Sequence, residues 1–264
     1  DGVFESKLII DSDKTLYHNN SIKFEKELYI KSGAIMTVKP GNVLKFSSGD
    51  SAYVEEGGKI VAQGMSSAPI RFTDRGQSWR GLQIEGDGSS LKHIVVERVG
   101  HESDPYHPAV EIRAQNVTLK DATITANEWT AIKADETPSS ATSSFTLRSS
   151  LISGNEWGID ARKTVATIRH TTVKNNDDVG VHFGYGASSP EFVNNTVSEN
   201  GLEGVQVYGG TIHKFKDNVI KDNGQYGLDI FDSAYVYMDG DSQNKIFNNE
   251  YHEVLLDGGS EVYL

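Results

Sequence analysis

The chain has 264 residues, of which 37% are apolar and 23% are charged, and its formal net charge is −12. These values are typical of a folded domain and exclude a disordered chain. The absence of cysteine excludes disulfides and thiolate metal sites, the negative charge argues against nucleic acid as a partner, and no apolar run reaches the ~18 residues that membrane insertion requires.

The N-terminal segment, residues 1–27, is predicted to cap a repetitive domain that occupies residues 28–264. Phe4 and Leu8 are among the apolar residues that could cover the open end of such a domain, because an uncovered strand edge invites pairing with other chains. Since the chain begins with Asp1 rather than Met, we expect a signal segment or a neighbouring domain to precede it.

Six short segments repeat along the second half of the chain. In each, an apolar residue stands three places before an asparagine, and another follows the asparagine by four or five places. A fixed period of this length is typical of a solenoid. The asparagines, called the asparagine column below, are Asn127, Asn155, Asn176, Asn200, Asn223 and Asn249.

Each repeat is predicted to form two or three short strands. Val205-Gln206-Val207 alternates as a half-buried strand does, and no window has helical spacing. Because one repeat cannot bury its own apolar face, we expect about ten coils stacked at ~4.8 Å per rung. The asparagine column would then be buried and joined by amide hydrogen bonds, and the asparagines and nearby glycines would adopt the left-handed backbone of tight turns. A β-sandwich is the alternative fold, and it would pair its strands antiparallel.

A series of short runs in the first half carries a resemblance. The runs at residues 33–35, 40–46, 57–64, 69–73, 79–84 and 91–97 resemble the opening of bacterial right-handed parallel β-helix repeat proteins of the pectate-lyase-like superfamily. The resemblance extends over roughly residues 28–256, and it implies an all-β right-handed parallel β-helix that is secreted or at the cell surface. The superfamily includes polysaccharide lyases, epimerases and hydrolases as well as adhesins without activity, so the scaffold alone does not choose a function.

An outward-facing position in the second strand of each coil supplies the candidate catalytic residues. Enzymes of the superfamily place catalytic groups on one such external face. A polyuronate lyase or epimerase needs a base for the C5 proton and a cation for the developing charge, and His182 or Lys133 could be the base with the other as the cation. The residues at this position in four successive coils, called the charged column below, are Glu111, Lys133, Asp160 and His182. The structural alternative is that the charged column is only a solvent-facing series of alternating charges.

Two arginines and three aromatic residues are candidates for substrate binding. Arg113 and Arg162 each follow a charged-column position by two residues and could hold sugar carboxylates. Trp129, Trp157 and Tyr208 could bind the apolar faces of sugar rings, or could be stacked rungs of the scaffold.

The loop at Asp104-Pro105-Tyr106-His107 resembles, imperfectly, the Asp-Pro-His-Asp motif of alginate epimerases. Tyr106 stands where that motif has His, and Pro108 follows His107, so the roles of the motif cannot be carried over. An ordinary polar turn is the alternative.

No cofactor and no metal ligand set is predicted, with calcium in the acidic turn at residues 239–244 as the alternative. The C-terminus shows no capping helix, and we expect neighbouring domains of a longer chain. Two functions stay open. The first is the binding or processing of a polysaccharide, in particular an acidic one, by lyase or epimerase chemistry. The second is a non-catalytic adhesin, stalk or spacer.

Overall fold

The computed structural model describes residues 2–17, 19–76, 78–100 and 107–263. These residues form 34 β-strands, numbered β1 to β34 in chain order, and no helix occurs among them. The described chain accordingly holds no helix long and apolar enough to cross a membrane. The strands belong to three parallel sheets.

The first sheet contains one strand from each coil. Its strands, in spatial order, are β1 (Gly2–Phe4), β4 (Ser21–Phe24), β7 (Val43–Phe46), β10 (Ile70–Asp74), β13 (Ile94–Glu97), β16 (Thr123–Thr125), β19 (Leu151–Ser153), β22 (Thr172–Lys174), β25 (Thr196–Ser198), β29 (Val219–Lys221) and β32 (Lys245–Phe247).

The second sheet takes the next strand of each coil. It consists of β2 (Leu8–Ile10), β5 (Leu28–Ile30), β8 (Ala52–Val54), β11 (Leu82–Ile84), β14 (Val110–Ile112), β17 (Ile132–Ala134), β20 (Ile159–Ala161), β23 (Val181–Phe183), β26 (Val205–Tyr208), β30 (Tyr226–Phe231) and β33 (His252–Leu256).

The third sheet completes each coil, and in one coil its strand is divided in two, so that β27 and β28 both pair with β24. Its strands are β3 (Lys14–Leu16), β6 (Ile35–Val38), β9 (Lys59–Gln63), β12 (Ser90–Lys92), β15 (Val117–Lys120), β18 (Ser143–Arg148), β21 (Thr164–Arg169), β24 (Ser188–Val193), β27 (Thr211–Ile212), β28 (Phe215–Lys216), β31 (Tyr235–Tyr237) and β34 (Glu261–Tyr263).

Every strand pairs in parallel with its counterpart in the next coil, and the first and second sheets have 11 strands each. The prediction of an all-β right-handed parallel β-helix of about ten coils is therefore confirmed. Residues 2–16 form β1, β2 and β3, which pair with β4, β5 and β6. The division into a cap of residues 1–27 and a β-helix of residues 28–264 stays a prediction.

The core is a set of apolar columns that run along the axis of the helix. In five of the six repeats an apolar residue stands eight places before the asparagine. These five residues face inward in the third sheet and stack in register in successive coils. All five are fully buried: Leu119, Leu147, Ile168, Phe192 and Phe215.

The asparagine column runs along the turn between the first and second sheets. Asn176 Nδ2 donates to Asn200 Oδ1 at 2.9 Å, and Asn200 Nδ2 donates to Asn223 Oδ1 at 2.9 Å. Each acceptor oxygen also accepts a hydrogen bond from the backbone N–H of the preceding asparagine. All six members of the column are buried, which confirms the predicted burial and bonding.

The conformational role assigned to the asparagines and glycines is wrong. The left-handed residue of the turn is the one before the asparagine, as at Ala126 (φ 55°) and Glu199 (φ 57°). The glycine is needed for a close approach: a Cβ on Gly180 would lie 2.6 Å from the carbonyl oxygen of Gly204 and 2.7 Å from Asn200 Nδ2. Any larger residue there would push two coils apart.

A second series of amides runs along the turn between the third and first sheets. Asn195 Nδ2 and Asn218 Nδ2 each donate to the asparagine of the next coil, Asn218 and Asn244 respectively, at 3.2 Å. These residues stand five places before Asn200, Asn223 and Asn249. The same 23- and 26-residue steps were present in the sequence and could have revealed them.

The asparagine column yields a stability prediction. Asn200→Ala should lower the free energy of unfolding by about 1–3 kcal/mol, because buried amides above and below lose their partners. Asn127→Ala should cost less, since the Oδ1 atom of Asn127 accepts only from the Val99 N–H among the described residues. Urea unfolding followed by circular dichroism measures both.

A matched control for this test is Gln225→Ala. Gln225 is a half-buried amide near the same turn whose side chain has no hydrogen bond among the described residues. Equal, small losses of stability for Asn200→Ala and Gln225→Ala would contradict a contribution from the column.

Candidate functional site

The charged column lies on the outer face of the second sheet, one residue per coil. Glu111 pairs with Lys133, Lys133 with Asp160, and Asp160 with His182. The register inferred from the sequence is therefore confirmed. Successive members belong to adjacent rungs, ~4.8 Å apart.

Asp160 and His182 form a buried, hydrogen-bonded pair. His182 Nδ1 lies 2.8 Å from Asp160 Oδ1, and Arg162 Nε donates to the same oxygen at 2.9 Å. Asp160 is 5% exposed and His182 is 6% exposed. The expectation of a solvent-facing column is therefore wrong at these two positions, although both side chains face away from the apolar core.

Three effects set the ionisation of Asp160. Burial is the largest and opposes the charged form, but the hydrogen bond and charge of His182, followed by Arg162, outweigh it and hold the pKa of the Asp160 carboxyl below its ordinary value. Asp160 is thus an anion at neutral pH, and it fixes the Nδ1–H tautomer of His182. His182 Nε2 has no hydrogen-bond partner among the described residues.

A cleft of about 310 Å³ opens beside this pair. Trp157 forms part of its wall: the indole Nε1 donates to Asp178 Oδ2 at 3.0 Å, and the ring meets the His182 ring edge-on with centroids 5.8 Å apart. The cleft brings together five of the predicted site residues, and its lining consists of Trp129, Thr130, Lys133, Glu156, Trp157, Asp160 and Arg162.

The remaining substrate-binding candidates lie outside the cleft lining. Arg113 Nη1 is 3.6 Å from Glu85 Oε1, and its Nε donates to the backbone carbonyl of Glu136 at 3.3 Å. Tyr208 is the last residue of β26. Its ring lies between those of Tyr185 and Phe231, at centroid distances of 6.1 and 4.8 Å. Both roles stay predictions.

Further acidic residues lie near the pair or continue its column. Burial, reinforced by Asp178, raises the pKa of Glu156, and burial with the charges of Asp229 and Asp178 raises that of Glu203. Asp229 occupies the charged-column position two coils beyond His182. Its burial could not be read from the sequence, because the outward face of a strand is ordinarily solvated.

Asp104, Pro105 and Tyr106 of the loop that resembles the epimerase motif lie outside the described residues, and His107 is half-buried. No group of three or more His, Asp or Glu side chains that could hold a metal ion occurs within the described ranges. In the turn at residues 239–244, Asn244 Nδ2 donates to the Phe215 carbonyl at 2.9 Å.

Asp229 yields a pH-dependence prediction. Burial above all raises its pKa, against a hydrogen bond from Gln206, and its Oδ1 has no hydrogen-bond partner among the described residues. Because the folded state binds this proton more tightly, the stability contributed by protonated Asp229 is lost as the pH rises through its folded pKa. The free energy of unfolding should therefore decrease less between about pH 4 and pH 7 in Asp229→Asn than in the parent protein.

Urea unfolding of both proteins at the two pH values measures this difference. Asp239→Asn, at an exposed position, is the control and should leave the pH dependence of the parent unchanged. An equal pH dependence in the parent protein and in Asp229→Asn would contradict the assignment.

Comparisons with solved structures support the fold. The periplasmic alginate epimerase AlgG superimposes with a TM-score of 0.56 and 12% sequence identity, over 96% of this chain and 72% of its own. Pectate lyase Pel9A gives a TM-score of 0.54 and 14% identity, over 88% of this chain and 69% of its own. At these identities the likeness is one of fold.

Two family descriptions match the sequence. Residues 8–96 match the pectate-lyase like beta helix domain, and residues 108–264 match the right handed beta helix region. No curated protein matches the chain. Because the second match alone takes in more than half of the sequence, the chain belongs to the right-handed β-helix family, with the pectate-lyase-like character that its first half predicts.

Proposed function

We propose that this protein binds an acidic polysaccharide along the second sheet and processes it by the chemistry of a uronate lyase or epimerase. The observation that carries the proposal is the Asp160–His182 hydrogen bond at 2.8 Å beside a cleft lined by Lys133, Arg162 and two tryptophans. The cleft supplies positive charge and flat apolar surfaces, and the proton acceptor His182 is hydrogen-bonded to Asp160 of its lining.

His182 is the proposed base. Asp160 accepts the Nδ1–H, so the lone pair of the imidazole is on Nε2. In this reaction Nε2 takes the C5 proton of a uronate residue. The C–H electrons then either form the C4–C5 double bond as the O4 leaving group departs and takes a proton from solvent, or take up a proton from solvent on the opposite face of C5 to give the epimer.

Arg162 and Lys133 are the proposed carboxylate partners. Removal of the C5 proton increases the negative charge on the neighbouring carboxylate, and a fixed cation stabilises that charge. The side chains of Arg162 and His182 both pack over Gly184, where an added Cβ would meet Arg162 Cγ at 3.0 Å and His182 Cε1 at 2.8 Å. A carboxylate held by Arg162 would therefore stand near the imidazole.

The named relatives are consistent with this substrate class and with a location outside the cytoplasm. An alginate epimerase described as periplasmic and a pectate lyase share the fold, and both names denote enzymes of acidic polysaccharides. We accordingly propose that the chain is secreted or exposed at the cell surface, with a polysaccharide as its partner.

A non-catalytic role is the second candidate. It is favoured by the 6% exposure of His182 and by the alternation of charge along the column, which is a stable arrangement without any ligand. In that case the β-helix is an adhesin, stalk or spacer domain, and the Asp160–His182 pair only stabilises the outer face of the second sheet.

Replacement of His182 separates the two candidates. His182→Asn keeps an amide that can donate to Asp160 but removes the base, so turnover of polygalacturonate or alginate should fall by at least about 100-fold while the fold persists. Ultraviolet absorbance of unsaturated ends reports lyase activity, and NMR of the C5 configuration reports epimerisation.

Arg162→Ala should weaken turnover as well, and His213→Ala should not change it, because His213 is exposed in the turn between β27 and β28. Unfolding temperatures of all variants verify the fold. If the parent protein neither binds nor alters any uronate polymer, the catalytic proposal fails and the adhesin or spacer role replaces it.

A further inference from the structure

A row of four basic residues follows the outer face of the third sheet. The row, called the basic column here, consists of Lys92, Lys120, Arg148 and Arg169, which end β12, β15, β18 and β21. Their side chains are exposed or half-buried.

The strand register places the four residues directly above one another. Lys92 pairs with Lys120, Lys120 with Arg148, and Arg148 with Arg169. Adjacent rungs are ~4.8 Å apart, and like charges at directly opposed positions of neighbouring strands destabilise a sheet. A protein with a net charge of −12 could offset such a column by placing carboxylates beside it.

The described residues do not supply that offset for most of the column. Arg169 pairs with Glu191, but Lys92, Lys120 and Arg148 have no ion-pair partner among the described residues. On the second sheet the charges alternate instead, and Asp160 is paired with both neighbours that approach it.

A second basic cluster lies in a groove over the first sheet. Each of its three arginines has a carboxylate partner: Arg71 lies 2.7 Å from Glu97, Arg75 lies 3.0 Å from Glu25, and Arg98 lies 3.4 Å from Asp74. The two lysines of the groove, Lys23 and Lys45, have no ion-pair partner among the described residues. The basic column, with one paired cation, is thus the less compensated of the two surfaces, and its unpaired charges are available to a ligand.

The surface beside the column has the chemistry of a sugar-binding face. A hydroxyl residue stands two places before each cation, on the same side of the sheet, and these residues are in register as well. Hydroxyls both donate and accept, as the hydroxyls of a sugar do. The four are Ser90, Thr118, Thr146 and Thr167.

The composition of this face favours a glycan over other polyanions. The outward residues of β12, β15, β18 and β21 include no aromatic side chain, whereas proteins that bind single-stranded nucleic acids rely on stacking against aromatic rings. The face also lacks the large apolar side chains that insert into a lipid surface.

We infer that the basic column binds a linear, carboxylated polysaccharide whose chain runs along the axis of the β-helix. Carboxylates spaced along the polymer would each meet one rung, and hydroxyls of the sugar rings would meet the Ser and Thr side chains. This site is on a different sheet from the cleft, and its binding does not require that the cleft be catalytic.

Charge reversal at two exposed positions tests the inference. Lys120→Glu/Arg148→Glu should weaken the binding of fluorescent oligouronates by at least about tenfold in low salt, since two attractive contacts become repulsive. Fluorescence anisotropy with alginate and polygalacturonate oligomers measures the affinity, and added salt should weaken it further. Lys26→Glu/Lys31→Glu, also at exposed positions, makes the same change in net charge elsewhere.

The background of this test is Lys133→Ala/Arg162→Ala, which removes the cations of the cleft, so that binding at the basic column is measured separately from the proposed activity. An equal loss of affinity in the Lys26/Lys31 control, or no binding of either oligouronate at low salt, would overturn the inference. Tighter binding of an oligodeoxythymidylate than of the oligouronates would overturn it in favour of nucleic acid.

Discussion

Parallel backbone hydrogen bonding between successive coils decides which side chains meet in this protein. Because a strand in one coil pairs residue for residue with its counterpart in the next, any position of the repeat becomes a continuous column along the axis. The same type of side chain, whether apolar, amide, acidic or basic, can then recur at that position in every coil. The asparagine column is stable because an amide is both a donor and an acceptor and so can bond to copies of itself indefinitely.

The sequence was sufficient to predict the parts of the fold that depend on this repetition. The step between Asn176 and Asn200 and the alternation around Val205 together give the stacking, the strand face and the register of the second sheet. The charged column followed from the same register. These features are predictable because a solenoid has few ways to align a repeat once the apolar residues must face inward.

Other features depended on contacts between coils that no single repeat contains. Gly180 is required by its approach to Asn200 and to the Gly204 carbonyl of the next coil, which the sequence could not distinguish from a need for left-handed backbone. The burial of Asp160 and His182 has the same origin. Their outward direction follows from strand alternation, but His182 is also covered by residues of the preceding coil: Trp157 in the turn before β20 packs against its ring, and Arg162, just after β20, donates to the Asp160 oxygen that His182 contacts.

Columns of charge show how a repetitive scaffold can separate stability from recognition. In a column that alternates in sign, each charge faces opposite charges on the neighbouring coils. Asp160, which is hydrogen-bonded to His182 and to Arg162, is buried there without a ligand. In a column of one sign, neighbouring charges of the column give no electrostatic stabilisation to one another. Their repulsion is then offset by solvent ions or by an external partner of opposite charge. Since every charge of such a column lies at the same place in the coil, the partner that offsets most of them at once is itself linear and periodic. For the site proposed on the basic column, the geometry of the scaffold favours a polymer aligned with the axis.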